Sequence, residues 1–366
     1  MKEYDVIVVG AGPAGAEASR KLAEQGLNVV MIEEHTVVGI PSHCWGLLPF
    51  TSKPEITEEI IREMPADIIL RKYDTVRIYA PSGKVAAEIS PEGGEYLVRR
   101  DAFDRELVKQ AVNAGTQLIL HVRVTGIIRE NGRAVGVTTN SEKLPQVFGK
   151  LVIAADGIHA VQKGIAKWEG FTKDKADKTF TAGVTFELAG ARNMDLNVKE
   201  WHTGAFCRRG FVGICPINST SCMTDFMKVA DFEKVKSGNY MLSERLRNAV
   251  PVRMTGWSHP SDLGVGLTKV VDEGLILVGS AANLIGIHAA ILTGRYAAEI
   301  VIEAIKENDV SVRKLENYDN LFRTQTNPSG FIKSMPFYGL ADEDIEKLLF
   351  DLIGKGEFTP LLPIPL

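Results

Sequence analysis

Apolar positions along the chain follow two periods. Tyr4 to Val9 is a continuous β-branched run, which predicts a strand buried on both faces. The segment AEASRKLAEQG that follows the next few residues has a helical pattern and closes at Gly26. Asn28 to Ile32 predicts a second strand. An amphipathic helix runs from Val98 to Ala114 and stops at Gly115. Gln117 to Ile127 alternates as a strand, and Asn131-Gly132 predicts a tight hairpin turn. Leu151 to Gly157 is another buried strand, closing on Asp156-Gly157. Alternation over Asp74–Ile89, Phe180–Phe186 and Phe206–Phe226 predicts an antiparallel sheet. Helices are predicted over Ile287–Ile305 and Asp342–Ile353. The second has an apolar stripe of Ile345, Leu348, Leu349, Leu352 and Ile353 that packs on its own domain.

Strand, helix and strand in succession predict an α/β chain with a Rossmann-like domain, and 366 residues suggest about two domains. The net charge of −4 leaves no basic surplus for a nucleic-acid partner. Cys44, Cys207, Cys215 and Cys222 have no metal-knuckle spacing, so no metal is expected. The first residues are acidic rather than basic and lead into a short apolar run. The expected setting is therefore a reducing cytoplasm. Gly274 to Gly294 carries no charge, but its glycines and polar residues suit a strand, a turn and a helix better than a membrane span. The terminal FTPLLPIPL is expected to cap a hydrophobic tunnel or touch a partner.

The chemistry begins where the first strand ends. Gly10-Ala11-Gly12-Pro13-Ala14-Gly15 is a GxGxxG turn between strand and helix, with acidic Glu33 and Glu34 closing the second strand. In this context Gly10 allows the tight turn, Gly12 lets the backbone approach a pyrophosphate, and Gly15 brings helix and strand together. The helix N-terminus offers N–H groups to the phosphates, and Glu33 is placed to accept from a ribose diol. The motif alone does not separate FAD from NAD.

Arg100, Phe103, Asp104 and Leu107 form R-x-x-F-D-x-x-L; Asp156-Gly157 and Gly279 follow later. With these the chain resembles the flavoproteins built like para-hydroxybenzoate hydroxylase. Within that group it is most similar to the geranylgeranyl reductases, including the archaeal digeranylgeranylglycerophospholipid reductases, over roughly residues 4 to 350. The resemblance implies a Rossmann-like FAD-binding domain, an inserted antiparallel-sheet substrate domain and a helical C-terminal tail. The corresponding segments are 1–75, 100–160 and 265–308 for the first, 76–99 and 161–264 for the second, and 309–366 for the tail. It implies FAD as cofactor, held by Gly10, Gly12, Ala14, Gly15, Glu33, Glu34, Cys44, Trp45, Gly46, Arg100, Val124, Asp156, Gly157, Gly279, Ser280, Gly286 and Ile287. Cys44 is implied as the catalytic residue beside the flavin, with His43 a second candidate for proton placement.

The implied reaction reduces C=C bonds of a geranylgeranyl-type chain on a hydrophobic or lipid substrate. A peripheral membrane contact is compatible with such a substrate. Alternatives are a monooxygenase of an aromatic substrate, or a degenerate flavoprotein acting in electron transfer or binding. The electron donor stays open among NADPH, ferredoxin and a deazaflavin. Departures from the family pattern are Trp45 where a small residue is usual, Ser280 where an Asp is usual, and a short loop before Gly286. Phe211, Gly213, Cys215 and Pro216 fall on the family's Y-x-W-x-F-P strand and are assigned to the substrate pocket. Two aromatic positions have become small there, through pocket enlargement or neutral repacking.

Overall fold

The structure is a computed structural model that describes residues 3–49, 53–172, 180–206, 210–260, 267–325, 337 and 339–357. Cys207 and the terminal FTPLLPIPL lie outside the described residues.

The largest sheet has eight strands among the described residues. Its main path runs Val271–Asp272, Leu275–Leu277, Gln146–Ala154, Glu3–Val9, Val29–Ile32, Gln117–Ile119. From Leu275–Leu277 to Gln117–Ile119 the pairings are parallel, with Val6 opposite both Leu151 and Val29. Val6, Ile7, Val8, Leu151, Val152 and Ile153 are fully buried, which is why these strands read as apolar runs without alternation. The hairpin Val124–Glu130 and Arg133–Thr139 turns at Asn131-Gly132, both with positive φ, and pairs antiparallel with Gln146–Ala154.

Helix Pro13–Glu24 packs against helices Arg100–Asn113 and Ile287–Lys306. The second contact is close because Gly294 has no side chain: a β-carbon there would overlap the carbonyl oxygen of Ala14. The uncharged stretch from Gly274 divides into strand Leu275–Leu277, a 3-10 turn Gly279–Ala282 and the start of Ile287–Lys306. No helix among the described residues is long and apolar enough to cross a membrane.

A second sheet of seven strands runs Val250–Pro260, Phe180–Ala189, Ser221–Phe226, Phe211–Asn218, Val198–Thr203, Thr75–Tyr79, Val85–Ile89. It is antiparallel except at one junction, where Val198–Thr203 meets Thr75–Tyr79 in parallel. The expected antiparallel sheet is present, with this one parallel junction inside it. The Thr75–Ile89 hairpin comes from an earlier part of the chain and no tight turn joins it to Val198–Thr203, so no hairpin turn dictates its direction.

A small third sheet, Leu47–Leu48, Glu95–Val98 and Ile69–Tyr73, sits between the two. Leu47, Tyr73 and Leu97 form a core with Cys215 and Met223 of the seven-stranded sheet. Helix Asp342–Gly354 buries Ile345 and Leu349 against Ile78, Ala80 and Phe337, so its stripe is satisfied within the protein.

Candidate functional site

Parallel strands place their carboxyl ends on one edge of a sheet, where open α/β folds bind ligands. Four sequence-identified segments gather there: the loop after Val9, the residues after Ile32, Asp156-Gly157 after Ala154, and Gly279–Gly286 after Leu277. In the first loop Gly10 adopts φ +100°, and a β-carbon on it would overlap the carbonyl of Ala155. One on Gly15 would overlap the carbonyl of Gly10, so these two glycines serve close packing. Gly12 differs: its φ is −75° and a β-carbon would meet nothing within 4 Å. The helix starts at Pro13 with no side-chain cap and no acid in its first turn. Helix Ile287–Lys306 begins in the same way behind Gly286, which also faces open space. Both N-termini therefore carry partial positive charge without a side-chain anion to neutralise it.

The two loops touch, since a β-carbon on Gly279 would come within 2.8 Å of the Ala14 side chain. Thr293 holds Gly279 by accepting its N–H at 2.9 Å. Ser280 is half-buried in the 3-10 turn, and Ile287 is buried as the first residue of its helix.

Two acids have distinct settings. Glu33 is buried and fastens the glycine loop: Oε2 accepts the Ala11 N–H at 2.9 Å and Oε1 the His35 N–H at 2.9 Å. Glu34 beside it is exposed. Asp156 accepts the Ile165 N–H at Oδ2, 2.9 Å, but its Oδ1 is buried with no hydrogen-bond partner. Burial pushes this carboxyl up to about 6, because the charged form loses solvation. A buried, unpartnered acceptor at the ligand edge suits a hydroxyl-bearing ligand. Val124 is buried at the start of its strand, and Gly157 faces open space with φ +80°.

Cys44, Trp45 and Gly46 lie on the segment leading into Leu47–Leu48. Gly46 takes φ +90° because a β-carbon would overlap the carbonyl of Val98, while the Val98 N–H donates to the Gly46 carbonyl at 2.9 Å. The Cys44 sulfur accepts the Gly46 N–H at 3.4 Å. Arg100, at the start of its helix, makes a two-point pair with Asp104 at 2.8 and 3.0 Å and also faces Cys44. Burial alone would weaken its charge; Asp104 and the sulfur outweigh that and hold the guanidinium above its ordinary range. Ser42 and His43 fasten the loop to the outermost strand: Thr255 Oγ1 donates to the Ser42 carbonyl, and His43 Nδ1 lies 3.2 Å from the Gly256 carbonyl. His43 is exposed at that edge.

The residues assigned to a substrate pocket divide. Cys215 is fully buried in the apolar seam between sheets, where burial pushes its thiol far up, and it lines no open wall. The Pro216 carbonyl accepts from Tyr73 Oη at 2.7 Å in the same seam. Gly213 does not leave an empty space. A β-carbon there would lie 2.6 Å from Trp45 Cη2 and 3.2 Å from Trp201 Cζ3, so the Trp45 ring occupies the volume above it. Trp45 meets Trp201 edge-on at 6.3 Å, and Trp201 meets Phe211 at 5.1 Å. Sequence reasoning missed Trp201, and it missed the buried pair of Lys199 and Glu95 beside it. The Arg100–Asp104 pair carried a local signal, its spacing of one helical turn.

Comparison with known proteins agrees with this geometry. A family model described as FAD dependent oxidoreductase matches residues 5–261. The chain belongs to the FAD dependent oxidoreductases. A digeranylgeranylglycerophospholipid reductase of Methanosarcina acetivorans is 32% identical to this oxidoreductase, over 95% of this chain and 88% of its own. One from Methanococcus aeolicus is 28% identical over 88% and 82%. The oxidoreductase shares the fold of a geranylgeranyl bacteriochlorophyll reductase-like protein of Thermoplasma acidophilum. The TM-score is 0.83 at 24% identity, covering 98% of this chain and 93% of the other. A halogenase mutant solved in complex with FAD has the same fold at TM-score 0.71 and 16% identity, covering 97% and 84%. The cofactor of the oxidoreductase is FAD, and the edge described above fits it. Two uncapped helix N-termini begin behind open glycines, and an unpartnered carboxyl oxygen belongs to a residue at the same sheet edge.

Proposed function

We propose that this oxidoreductase saturates C=C bonds of a geranylgeranyl-type isoprenoid chain on a lipid. The observation that carries the reading is the match, over nearly the whole chain, to relatives named digeranylgeranylglycerophospholipid reductase. The half-buried aromatic row of Trp45, Trp201 and Phe211, which begins at the residue after Cys44, supports it, since an apolar wall suits an isoprenoid better than a polar substrate.

Under this reading Gly12 and the Pro13–Glu24 helix N-terminus would hold pyrophosphate, while Gly10 and Gly15 shape the turn by close packing. Glu33 and Asp156 accept from hydroxyl groups, and the loop Gly279–Ile287 carries the far end of the cofactor. FAD held at this edge would, when reduced, supply the hydride equivalent for one alkene carbon. The second carbon takes a proton, and Cys44 is the proposed donor. Arg100 at its side stabilises the sulfur after the proton leaves, and solvent reprotonates it. Residues 1–75, 100–160 and 265–308 make up the proposed FAD domain, 76–99 and 161–264 the substrate domain, and 309–366 the tail. The proposed electron donor is a separate one, NADPH, ferredoxin or a deazaflavin.

The test is anaerobic. FAD-loaded protein is photoreduced and mixed with a geranylgeranyl lipid; the flavin absorbance should return while the lipid gains two hydrogens per bond. Reoxidation by oxygen with hydroxylation of an aromatic, and none by the prenyl lipid, would replace this reading with the monooxygenase one.

A further inference from the structure

Gly213 lies within strand Phe211–Asn218, opposite Trp201 in the neighbouring strand. Its φ is not in the left-handed region, so the backbone does not require glycine. What requires it is space: the six-membered ring of Trp45 sits where a side chain would begin, at 2.6 and 3.0 Å from the β-carbon position. Trp45 arrives from the loop that carries Cys44, one residue away in sequence. It is not buried as a core residue would be. Trp45, Trp201 and Phe211 are each half-buried, in edge-on contact one after another. The Lys199 ammonium lies 4.7 Å from the Trp201 ring centre and pairs with Glu95 behind it, which keeps the middle ring in place. Trp201 and Phe211 also pack on the cluster that holds helix Asp342–Gly354. The row thus starts at Trp45, the residue after Cys44 in the chain, and continues through Trp201 to Phe211.

We propose that Trp45 determines substrate size at this site. It occupies from the loop side the volume that Gly213 leaves open on the sheet, and it limits how much of an isoprenoid chain can lie along the row. The inference rests on the reductase reading for the nature of the ligand. Trimming the ring should open space along the row, because Gly213 contributes no side chain to refill it. A vacated ring volume admits several methylenes, and each well-placed methylene is worth about a 10-fold or greater discrimination.

The experiment measures binding of geraniol, farnesol and geranylgeraniol to oxidised, FAD-loaded wild type, Trp45→Ala and Trp45→Phe by calorimetry. Turnover is then measured by anaerobic reoxidation of the photoreduced proteins. The expected result is a geranylgeraniol-to-geraniol affinity ratio at least about 10-fold higher in Trp45→Ala than in wild type, with Trp45→Phe between them. An unchanged ratio in both variants, with wild type active on prenyl substrates, overturns the role of Trp45 and leaves the reductase reading intact. A shifted ratio with no turnover by any protein overturns the reductase reading alone. Absence of prenyl binding to wild type and variants overturns both. If Trp45→Ala loses flavin, Trp45→Phe carries the test, because it keeps a ring and removes only part of the volume.

Discussion

The Nζ of Lys199 lies 2.8 Å from Oε2 of Glu95, and their side chains are 3% and 0% exposed. One partner belongs to the seven-stranded sheet and the other to the small sheet packed on it, so the ion pair joins the layers inside a core. Breaking it by Lys199→Met strands a buried carboxylate and should cost about 3–5 kcal/mol. Replacing both, as Lys199→Met with Glu95→Leu, should recover most of that loss. Urea denaturation of the four proteins in the cycle measures it; a double variant no more stable than Lys199→Met would show that the loss does not come from a stranded Glu95 carboxylate.

The glycine loop separates packing from ligand approach. Gly12→Ala meets no neighbour and keeps an ordinary φ, so the apoprotein should melt at an unchanged temperature. The added methyl faces the open edge and should weaken FAD at least ~10-fold, about 1.4 kcal/mol. Gly15→Ala collides with the Gly10 carbonyl and should lower both stability and flavin content. Calorimetric melting and flavin titration on the two variants distinguish them, and identical behaviour would contradict the assignment.

Gly213→Ala presses on the Trp45 ring and should destabilise by about 1–3 kcal/mol. Adding Trp45→Phe to that variant should relieve part of the cost. Additive losses in the thermal melts would mean that the two positions do not share the space.

Two buried groups give the apoprotein opposing pH responses. Asp156 is raised to about 6, so its contribution is full below about pH 4 and is lost as pH rises through 6. His288 is lowered to about 4 by burial, so its contribution is full above about 6.5 and is lost as pH falls through 4. Each is worth about 3 kcal/mol, and over about pH 4 to 6.5 they largely cancel. Asp156→Asn should therefore make stability climb steeply with pH in that window, and His288→Gln should make it fall. Denaturant midpoints of the apoproteins across about pH 4 to 7 check this; variant profiles parallel to wild type would refute it.

Cys44→Ala should leave FAD bound, because the sulfur's hydrogen bonds are to Gly46 and Arg100 within the protein. If the thiol delivers the proton, single-turnover reoxidation by a prenyl lipid should slow about 10²–10⁴-fold. Equal rates for wild type and Cys44→Ala would remove the thiol from the reaction.

The α/β layer and its glycine turn were legible in the sequence because their signals are local. Val6 to Val9 are apolar on both faces, and the glycines fall within one turn of a helix start. The contacts that shape the candidate site were not legible. Trp45 and Gly213, or Glu95 and Lys199, are far apart in sequence and meet only through the stacking of two sheets. Read separately, a bulky residue in the Cys44 segment and a small one in the sheet are two anomalies; together they fill one volume. The outermost strand Val250–Pro260 escaped for a different reason. Its apolar Val250, Val252 and Met254 alternate but are the exposed side, 59%, 63% and 61%, so the apolar alternation there does not mark a buried face.

The loop bearing Cys44 is gripped at two ends by different layers. Gly46 is locked to Val98, while Ser42 and His43 are tied to Thr255 and Gly256 across the molecule. It behaves as a strap buckled to both, and the thiol is the stitch in its middle. Sliding one layer over the other must drag that sulfur or undo a buckle, so the reactivity of a single cysteine reports how the two halves are seated.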